Sequence, residues 1–511
     1  MESASRQTVQ PISETAESYV GLSARDASGA VRSAQEPVPQ ALSVVIMAAG
    51  KGTRMKSTRP KVLHRLAGRA LLAHVVGTAA QLLPRQMVVI TGHGAIEVEA
   101  ALAVLIRAGD QFDAKNLSCV RQEPQLGTGH AVQQAVPVLP DDGVCLVLNG
   151  DVPLIQADTL QALVASCGAD KLALLTVVMP DATGYGRIVR SGNAVQAIVE
   201  HKDASAALRE LREIYTGVMA VPNRLLKPWL ARLSNDNTQN EFYLTDIVKF
   251  AVVDGVSVVA QQTTDTAQVD GVNSPVQLAQ LERTHQLRQA HALMEAGVRL
   301  TDPARFDLRA DSRGTCELVC AQDVEIDLGC IFEGRVSLGQ GARIGAHCII
   351  ANARIEAGAV IHPFSHIDGE VLGVQVGQGA MVGPFARLRP GAHLGEDVHI
   401  GNFVEVKNST LAQGAKANHL TYLGDATVGE RVNIGAGTIT ANYDGANKHR
   451  TVIEADVHIG SNSVLVAPVT IGAGGTVGAG SVVTKSTPPG ALTVVRGKTV
   501  GVEGWIRPVK R

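Results

Sequence analysis

The chain has 511 residues, enough for two to four domains at ~100 to 200 residues each, which excludes a small disulfide-stapled scaffold. Apolar residues make up 45% and charged residues 18%, and no run approaches the ~18 consecutive apolar residues of a membrane span, so no membrane partner is expected. With 46 basic and 48 acidic side chains the formal charge is -2, which argues against nucleic acid as the main partner and requires any anionic ligand to be held by local groups.

Residues 1–41 are rich in Ser, Ala, Gln, Glu and Pro, lack apolar periodicity, and show neither a signal-peptide h-region nor a transit-peptide balance; they read as a disordered extension. From Ser43 short apolar runs alternate with amphipathic stretches. Residues 43–47, 86–91, 144–149 and 171–179 read as buried strands, with helices between them, so residues 42–274 are expected to form an α/β Rossmann-like domain with a mostly parallel sheet. Residues 275–297 carry no glycine before the end and predict a long helix, giving a linker over 275–299.

Composition then changes: 31 of the 52 glycines fall in the 198 residues from Gly314 onward. Aliphatic side chains recur every six positions at Val376, Val382, Leu388, Leu394, Ile400 and Val406, and again at Ile453, Ile459, Leu465, Ile471, Val477 and Val483. Shorter phases occupy 338, 344, 350, then 355, 361, 367, then 428, 434, 440, with slips near 411 and 428 and a loop over 441–452. A period of six fits neither an amphipathic helix nor a hairpin sandwich; it fits a hexapeptide parallel β-helix, expected over residues 300–511 with roughly eight coils between 336 and 485. Seven cysteines without a CxxC pair or zinc spacing suit reduced thiols in a cytoplasmic protein.

The first strand runs into Met47-Ala48-Ala49-Gly50-Lys51-Gly52-Thr53-Arg54-Met55, followed by Pro60-Lys61. Glycines there let backbone N–H groups approach phosphate oxygens, and Arg54 and Lys61 supply cations at the same point. The pattern is neither GxxxxGK[ST] nor GxGxxG, which excludes a Walker NTPase or a dinucleotide oxidoreductase reading. Asp151 follows a strand and a glycine, where a carboxylate serves either as a helix cap or as a ligand for Mg2+ at the sheet's edge.

This stretch resembles the sugar-nucleotide pyrophosphorylase signature, with Met47 in place of the usual Leu. Gln125-Leu126-Gly127-Thr128-Gly129-His130, Asn149-Gly150-Asp151, Thr183-Gly184-Tyr185-Gly186, Ile198-Val199-Glu200, Tyr243-Leu244-Thr245-Asp246 and Val269-Asp270-Gly271-Val272-Asn273 continue the match in order. With the β-helix attached, residues 43–511 resemble the bifunctional family that joins N-acetylglucosamine-1-phosphate uridyltransferase to glucosamine-1-phosphate acetyltransferase. The resemblance implies a left-handed β-helix, three hexads to a triangular coil, and a homotrimer with sites between subunits. It implies UTP and acetyl-CoA as co-substrates, glucosamine-1-phosphate and N-acetylglucosamine-1-phosphate as small-molecule substrates, and Mg2+ on Asp151 and Asn273. It assigns charge neutralisation to Arg54 and Lys61, the uracil and ribose end to Ala48, Ala49, Gly50, Gln122, Gly127 and Thr128, and the sugar to Gly186 and Glu200. Where the family carries Asn, this chain has Tyr215, a departure at one sugar contact.

In the repeat region, His419 lies two places beyond an inward position of the register 411, 417, 423, so it is expected to face outward. A surface histidine is ordinarily uneventful; the resemblance makes His419 the general base, and an imidazole, with an ordinary pKa of ~6.5, suits removal of a proton from an attacking amine. By the same resemblance Arg389, Lys407, Tyr422 and Asn433 take the sugar phosphate, and Ala436, Asn442, Tyr443, Ser461, Ala479 and Arg496 take acetyl-CoA. On residue type alone Arg389 and Lys407 are equally ordinary solvated charges. Lys448 shares the loop with Asn442. The basic residues between Lys485 and Arg511 are either a solvated tail or a contact for CoA phosphates. The competing activity is a single sugar-1-phosphate nucleotidyltransferase with a regulatory β-helix; a non-catalytic scaffold is disfavoured by the intact Arg54, Lys61, Asp151 and Asn273.

Overall fold

The computed structural model describes residues 20–23, 41–107, 116–497 and 501–505. The described chain divides into two compact units: one holds residues 41–289 and 309–315, the other 20–23, 290–308 and the described residues from 316 onward. Most of the extension expected to be disordered (1–19 and 24–40), and the tail residues 498–500 and 506–511, lie outside the described residues.

In the first unit, strands Leu117–Arg121, Gln86–Thr91, Leu42–Met47 and Val144–Asn149 lie side by side and parallel. Their near-continuous apolar sequence follows from burial on both faces. Val44 and Ile46 enter one core with Leu72, Val75 and Leu160, while Val45 enters the other with Val132, Leu226 and Trp229. Successive side chains of a strand point to opposite faces, so one strand feeds two cores.

Beyond Val144–Asn149 the sheet departs from the expected parallel arrangement. Glu213–Pro222 pairs antiparallel with both Val144–Asn149 and Leu172–Val178. Arg187–Ser191 and Ala194–Val199 form a hairpin, because the two-residue turn Gly192-Asn193 returns the chain directly where a parallel pair would need a helical crossover.

Helix Pro275–Glu295 opens with a proline, whose missing N–H is harmless in the first turn, and Ser274 Oγ accepts from the Gln277 N–H at 3.3 Å. In the first unit this helix presents His285 edge-on to His74, with ring centroids 5.6 Å apart, and His74 Nε2–H donates to the Leu66 carbonyl at 2.9 Å. Burial depresses both imidazoles, His74 to about 3 and His285 to about 4.

Among the described residues of the second unit, a face of eleven strands runs from Arg299–Leu300 to Leu492–Thr493, each paired with the next in parallel. A second face stacks Arg387–Leu388, Glu405–Lys407 and Tyr422–Gly424; a third stacks His393–Leu394, Thr410–Leu411 and Ala426–Val428. Three parallel faces make the column a parallel β-helix. Every aliphatic of the two long hexad runs is at most 4% exposed. The column begins before the hexads found in the sequence: Ile326 and the aromatic Phe332 are inward at the same six-residue spacing ahead of Leu338.

The phase slips have a simple form. Val382 pairs with Ile400, 18 positions on, whereas Ile400 pairs with Ala417 and Ala417 with Ile434, each 17 on. Val428 pairs with Ile453, 25 on, and the extra residues form the loop. At the other end, Val20–Ser23, within the extension expected to lack structure, runs antiparallel to Cys316–Cys320.

Two measurements follow. Leu388→Ala, at a position with 0% exposure, should cost about 2–5 kcal/mol in denaturant unfolding, while the exposed Thr410→Ala should stay within about 0.5 kcal/mol. Because the His74 and His285 pKa values are lowered in the fold, their contribution is fully present above ~6.5 and is lost as pH falls toward about 4 and about 3; His74→Phe should flatten the acid-side fall of the melting temperature in that window.

Candidate active sites

Lys61 stands at the start of the short turn Lys61–Leu63, set by Pro60. Its ammonium forms an ion pair with Asp151 and donates to Asn273 Oδ1 at 3.1 Å, reaching across 90 and 212 positions of sequence. The strand Val144–Asn149 delivers Asp151 just beyond its carboxyl end, and the Val272 N–H donates to the Asp151 carbonyl at 2.9 Å, which lays Asp270–Asn273 against it. Asn273 N–H is held in turn by Gln277 Oε1 at 2.8 Å. Gly52 is required for this packing: at φ 59 a Cβ would lie 2.6 Å from Lys61 Cβ. Two hard oxygens therefore converge on one cation.

Arg54 lies on the one-turn helix Thr53–Met55, anchored by the buried Met55. Burial pushes the Tyr185 phenol up, Asp270 and Asp151 push it further, and Arg54 opposes them, so all three charges stand around Tyr185. Among the described residues no group of three or more His, Cys, Asp or Glu side chains is placed to hold a metal.

The other residues expected at this site form a connected set. The Ala48 N–H donates to the Ile90 carbonyl at 2.8 Å, which leaves Gly50 exposed with open space where a Cβ would be. Gln122 Nε2 donates to the Gly127 carbonyl at 2.9 Å, Thr128 Oγ1 accepts from the Leu244 N–H at 3.1 Å, and the next residue, Thr245, donates its hydroxyl to Glu200 Oε1 at 3.1 Å. Gly186 lies beside Glu200, and its carbonyl accepts from the Tyr215 N–H at 2.9 Å. Burial raises the Glu200 carboxyl above its usual range, partly offset by the Thr245 hydroxyl. Tyr215 is buried beside Glu200 with no hydrogen-bond partner for its hydroxyl, and burial holds that phenol far above its ordinary value. Gly217 permits close contact: a Cβ there would sit 2.0 Å from Asn149 Nδ2.

In the β-helix, His419 ends strand Lys416–His419 and is exposed at a corner, while Ala417 points inward with 0% exposure. Backbone bonds continue this corner from coil to coil: Leu420 N–H donates to the Asn402 carbonyl, Gly437 to His419, Asn462 to Ala436 and Gly480 to Ser461. Asn402, His419, Ala436, Ser461 and Ala479 thus form one row along the column. At the same corner, the position after each member of the row carries the stacked rings of Phe364, Phe385 and Phe403 below His419, and Gly437, Asn462 and Gly480 above it.

The remaining residues gather at the next corner. Arg389 donates to Glu405 Oε1 at 2.8 Å, and Tyr422 pairs in register with Glu405 as Lys407 does with Gly424. Lys448 approaches Lys407 closely enough that its side chain, and then lost hydration, lower the Lys407 ammonium below the ordinary lysine value; Arg389 adds to this. Asp425, buried, accepts from the side chains of Asn408 and Asn442, and so ties the loop to the column. In that loop Tyr443 and Lys448 form an antiparallel bridge, and Tyr443 OH donates to the Gly445 carbonyl at 2.6 Å. Asn433 lies on the face that precedes the His419 corner, and Arg496 is exposed beyond Leu492–Thr493. A single column therefore does not bring all the expected residues together: His419 and the small-residue row occupy one corner, the cations and loop another.

Sequence reading missed Gln277, Asp425 and Asn402. Asn402 was findable, since 17 residues separate it from His419, one short coil.

A profile of MobA-like NTP transferase domains matches residues 44–234, and one of bacterial transferase hexapeptides, as six repeats, matches residues 373–408 and 450–485. The Bifunctional protein GlmU of Paracidovorax citrulli (strain AAC00-1) is 71% identical over 474 residues, 92% of this chain and 99% of that protein. The protein of the same name from Polaromonas naphthalenivorans (strain CJ2) is 73% identical, covering 92% and 98%. With nearly full coverage at this identity, and a nucleotidyltransferase unit followed by a hexapeptide column, the chain belongs to the bifunctional GlmU family, enzymes of UDP-N-acetylglucosamine biosynthesis that acetylate glucosamine-1-phosphate and uridylylate N-acetylglucosamine-1-phosphate.

Proposed function

We propose that residues 42–274 carry uridylyl transfer from UTP, residues 300–511 carry acetyl transfer from acetyl-CoA, and 275–299 link them, in a cytoplasmic homotrimer. One observation supports this division above the rest: Lys61, Asp151 and Asn273 converge in one unit, while His419 lines up with Ala436, Ser461 and Ala479 in the other.

For uridylyl transfer, a phosphate oxygen of N-acetylglucosamine-1-phosphate attacks the α-phosphorus of UTP in line with departing pyrophosphate. No protein nucleophile is needed; the obstacle is repulsion between two polyanions. Arg54 and Lys61 offset that charge, and the backbone of Ala48, Ala49 and Gly50 receives the nucleotide with Gln122, Gly127 and Thr128. Gly186, Glu200 and Tyr215 form the sugar end, where the Tyr215 hydroxyl offers a donor in place of the family's Asn. Asp151 and Asn273 fit Mg2+: both present hard oxygens, and both already share a cation, the Lys61 ammonium. When bound, Mg2+ would neutralise phosphate charge and orient the triphosphate.

For acetyl transfer, the glucosamine-1-phosphate nitrogen attacks the thioester carbonyl, CoA leaves as its thiolate, and His419 takes the amine proton. Arg389, Lys407 and Lys448 concentrate positive charge suited to the sugar phosphate, with Tyr422 and Asn433 on the sugar. Asn442, Tyr443 and Arg496 join the small-residue row in holding acetyl-CoA. Because these groups lie at different corners, association of three columns is what would complete a site, the His419 corner of one meeting the cationic corner of another.

Asp151→Ala should lower uridylyl transfer by at least about a hundredfold and leave acetylation intact; His419→Ala should lower acetylation by about 10²–10⁴ and leave uridylyl transfer intact. Either variant losing both activities while folded would refute the division. Co-expressing His419→Ala with Lys407→Ala chains should restore part of the acetylation that each variant lacks alone; no restoration would refute a site shared between subunits.

A further inference from the structure

Asn402 ends strand His399–Asn402 one coil below His419, and the two residues are direct partners in the parallel register. Their side chains meet at the corner: His419 Nδ1 lies 3.0 Å from Asn402 Oδ1. Behind the ring, Thr421 donates its hydroxyl to the His419 carbonyl at 2.8 Å, which fixes the backbone after the turn. The imidazole is thus exposed on a segment whose strand and turn are held by backbone and side-chain hydrogen bonds.

We propose that Asn402 is a positioning residue for acetyl transfer, setting which nitrogen of His419 carries the proton. The proposal rests on the reading of His419 as general base. A carboxamide oxygen is only an acceptor, so it is satisfied when Nδ1 bears the hydrogen, and a neutral imidazole protonated at Nδ1 carries its basic lone pair on Nε2. With Asn402 Oδ1 turned to the ring as it is, the opposite tautomer would set two acceptors against each other, and it would leave no base on the Nε2 side. When Nε2 takes the amine proton, the same oxygen faces the resulting cation and keeps the ring in place. The 17-residue coil is what aligns the pair: with a coil of another length, the corner residue preceding His419 would differ.

The test uses the full-length protein with glucosamine-1-phosphate and acetyl-CoA, comparing Asn402→Leu, Asn402→Asp and His419→Ala. Asn402→Leu, which removes the acceptor, should lower kcat by roughly 10- to 100-fold with little change in either KM. Asn402→Asp keeps an acceptor and should retain most of the plateau kcat, but its negative charge favours the protonated ring, so the acid limb of the kcat profile should move to higher pH. Nitrogen-15 NMR of the His419 ring should show hydrogen on Nδ1 in the unaltered protein and mixed tautomers in Asn402→Leu. Hydrogen on Nε2 in the unaltered protein would overturn the proposal without any variant. So would an unchanged kcat in Asn402→Leu, or an equal loss in the Leu and Asp variants. Acetyl transfer surviving in His419→Ala would instead sink the reading of His419, and the role of Asn402 with it.

Discussion

The acetyltransferase half depends on one constraint: each face of each coil must turn a side chain, in most coils an aliphatic one, into a narrow column. Val382, Leu388, Leu394 and Ile400 do this with almost no exposure, and burial of such side chains is worth roughly 1.5–3 kcal/mol each before entropy is counted. The same side chains fix the register of the parallel ladders. Once the inward positions are set, the residues beside them can only face outward or turn corners. His419 is outward because Ala417 and Leu423 are inward.

That constraint turns sequence spacing into chemistry. Residues far apart along the chain, such as His419 and Ser461, become members of one row through coil-to-coil hydrogen bonds. The departures from eighteen residues per coil matter as much as the repeat. The short coils bring Asn402 under His419, and the long coil supplies the loop that carries Asn442, Tyr443 and Lys448, which the buried Asp425 anchors. The nucleotidyltransferase half works differently: its strands only bring Asp151 and the Ala48–Gly50 turn to one end of the sheet, and Lys61 and Asn273 arrive on loops. Close packing at Gly52 lets the Lys61 turn come in, and Gly217 lets the neighbouring strand close on Asn149.

Much of this was legible in the residues. The hexad marked the column because period six is incompatible with the competing folds, and the apolar runs marked the central strands because a strand buried on both faces cannot alternate. The hairpin at Gly192-Asn193 and the antiparallel strand Glu213–Pro222 were not foreseen, since pairing direction is decided by which connection returns the chain. Ahead of Leu338 the hexad itself went unread, because the aromatic Phe332 interrupts an aliphatic search while filling the same interior position. In the extension, Val20–Ser23 pairs with Cys316–Cys320, a partner almost 300 positions away that local composition cannot reveal.

The amino-acid order alone determined the two architectures, the inward register of the column and the chemical types gathered in each half, because these rest on local periodicity and on motifs read within a few residues. Tertiary structure alone decided that Lys61, Asp151 and Asn273 share one charge cluster, that Lys448 crowds Lys407, that the Tyr215 hydroxyl is buried without a partner, and that His419 and the cationic loop occupy different corners. Those facts depend on distances between segments remote in sequence, and only the closed sheet and the wound column set such distances.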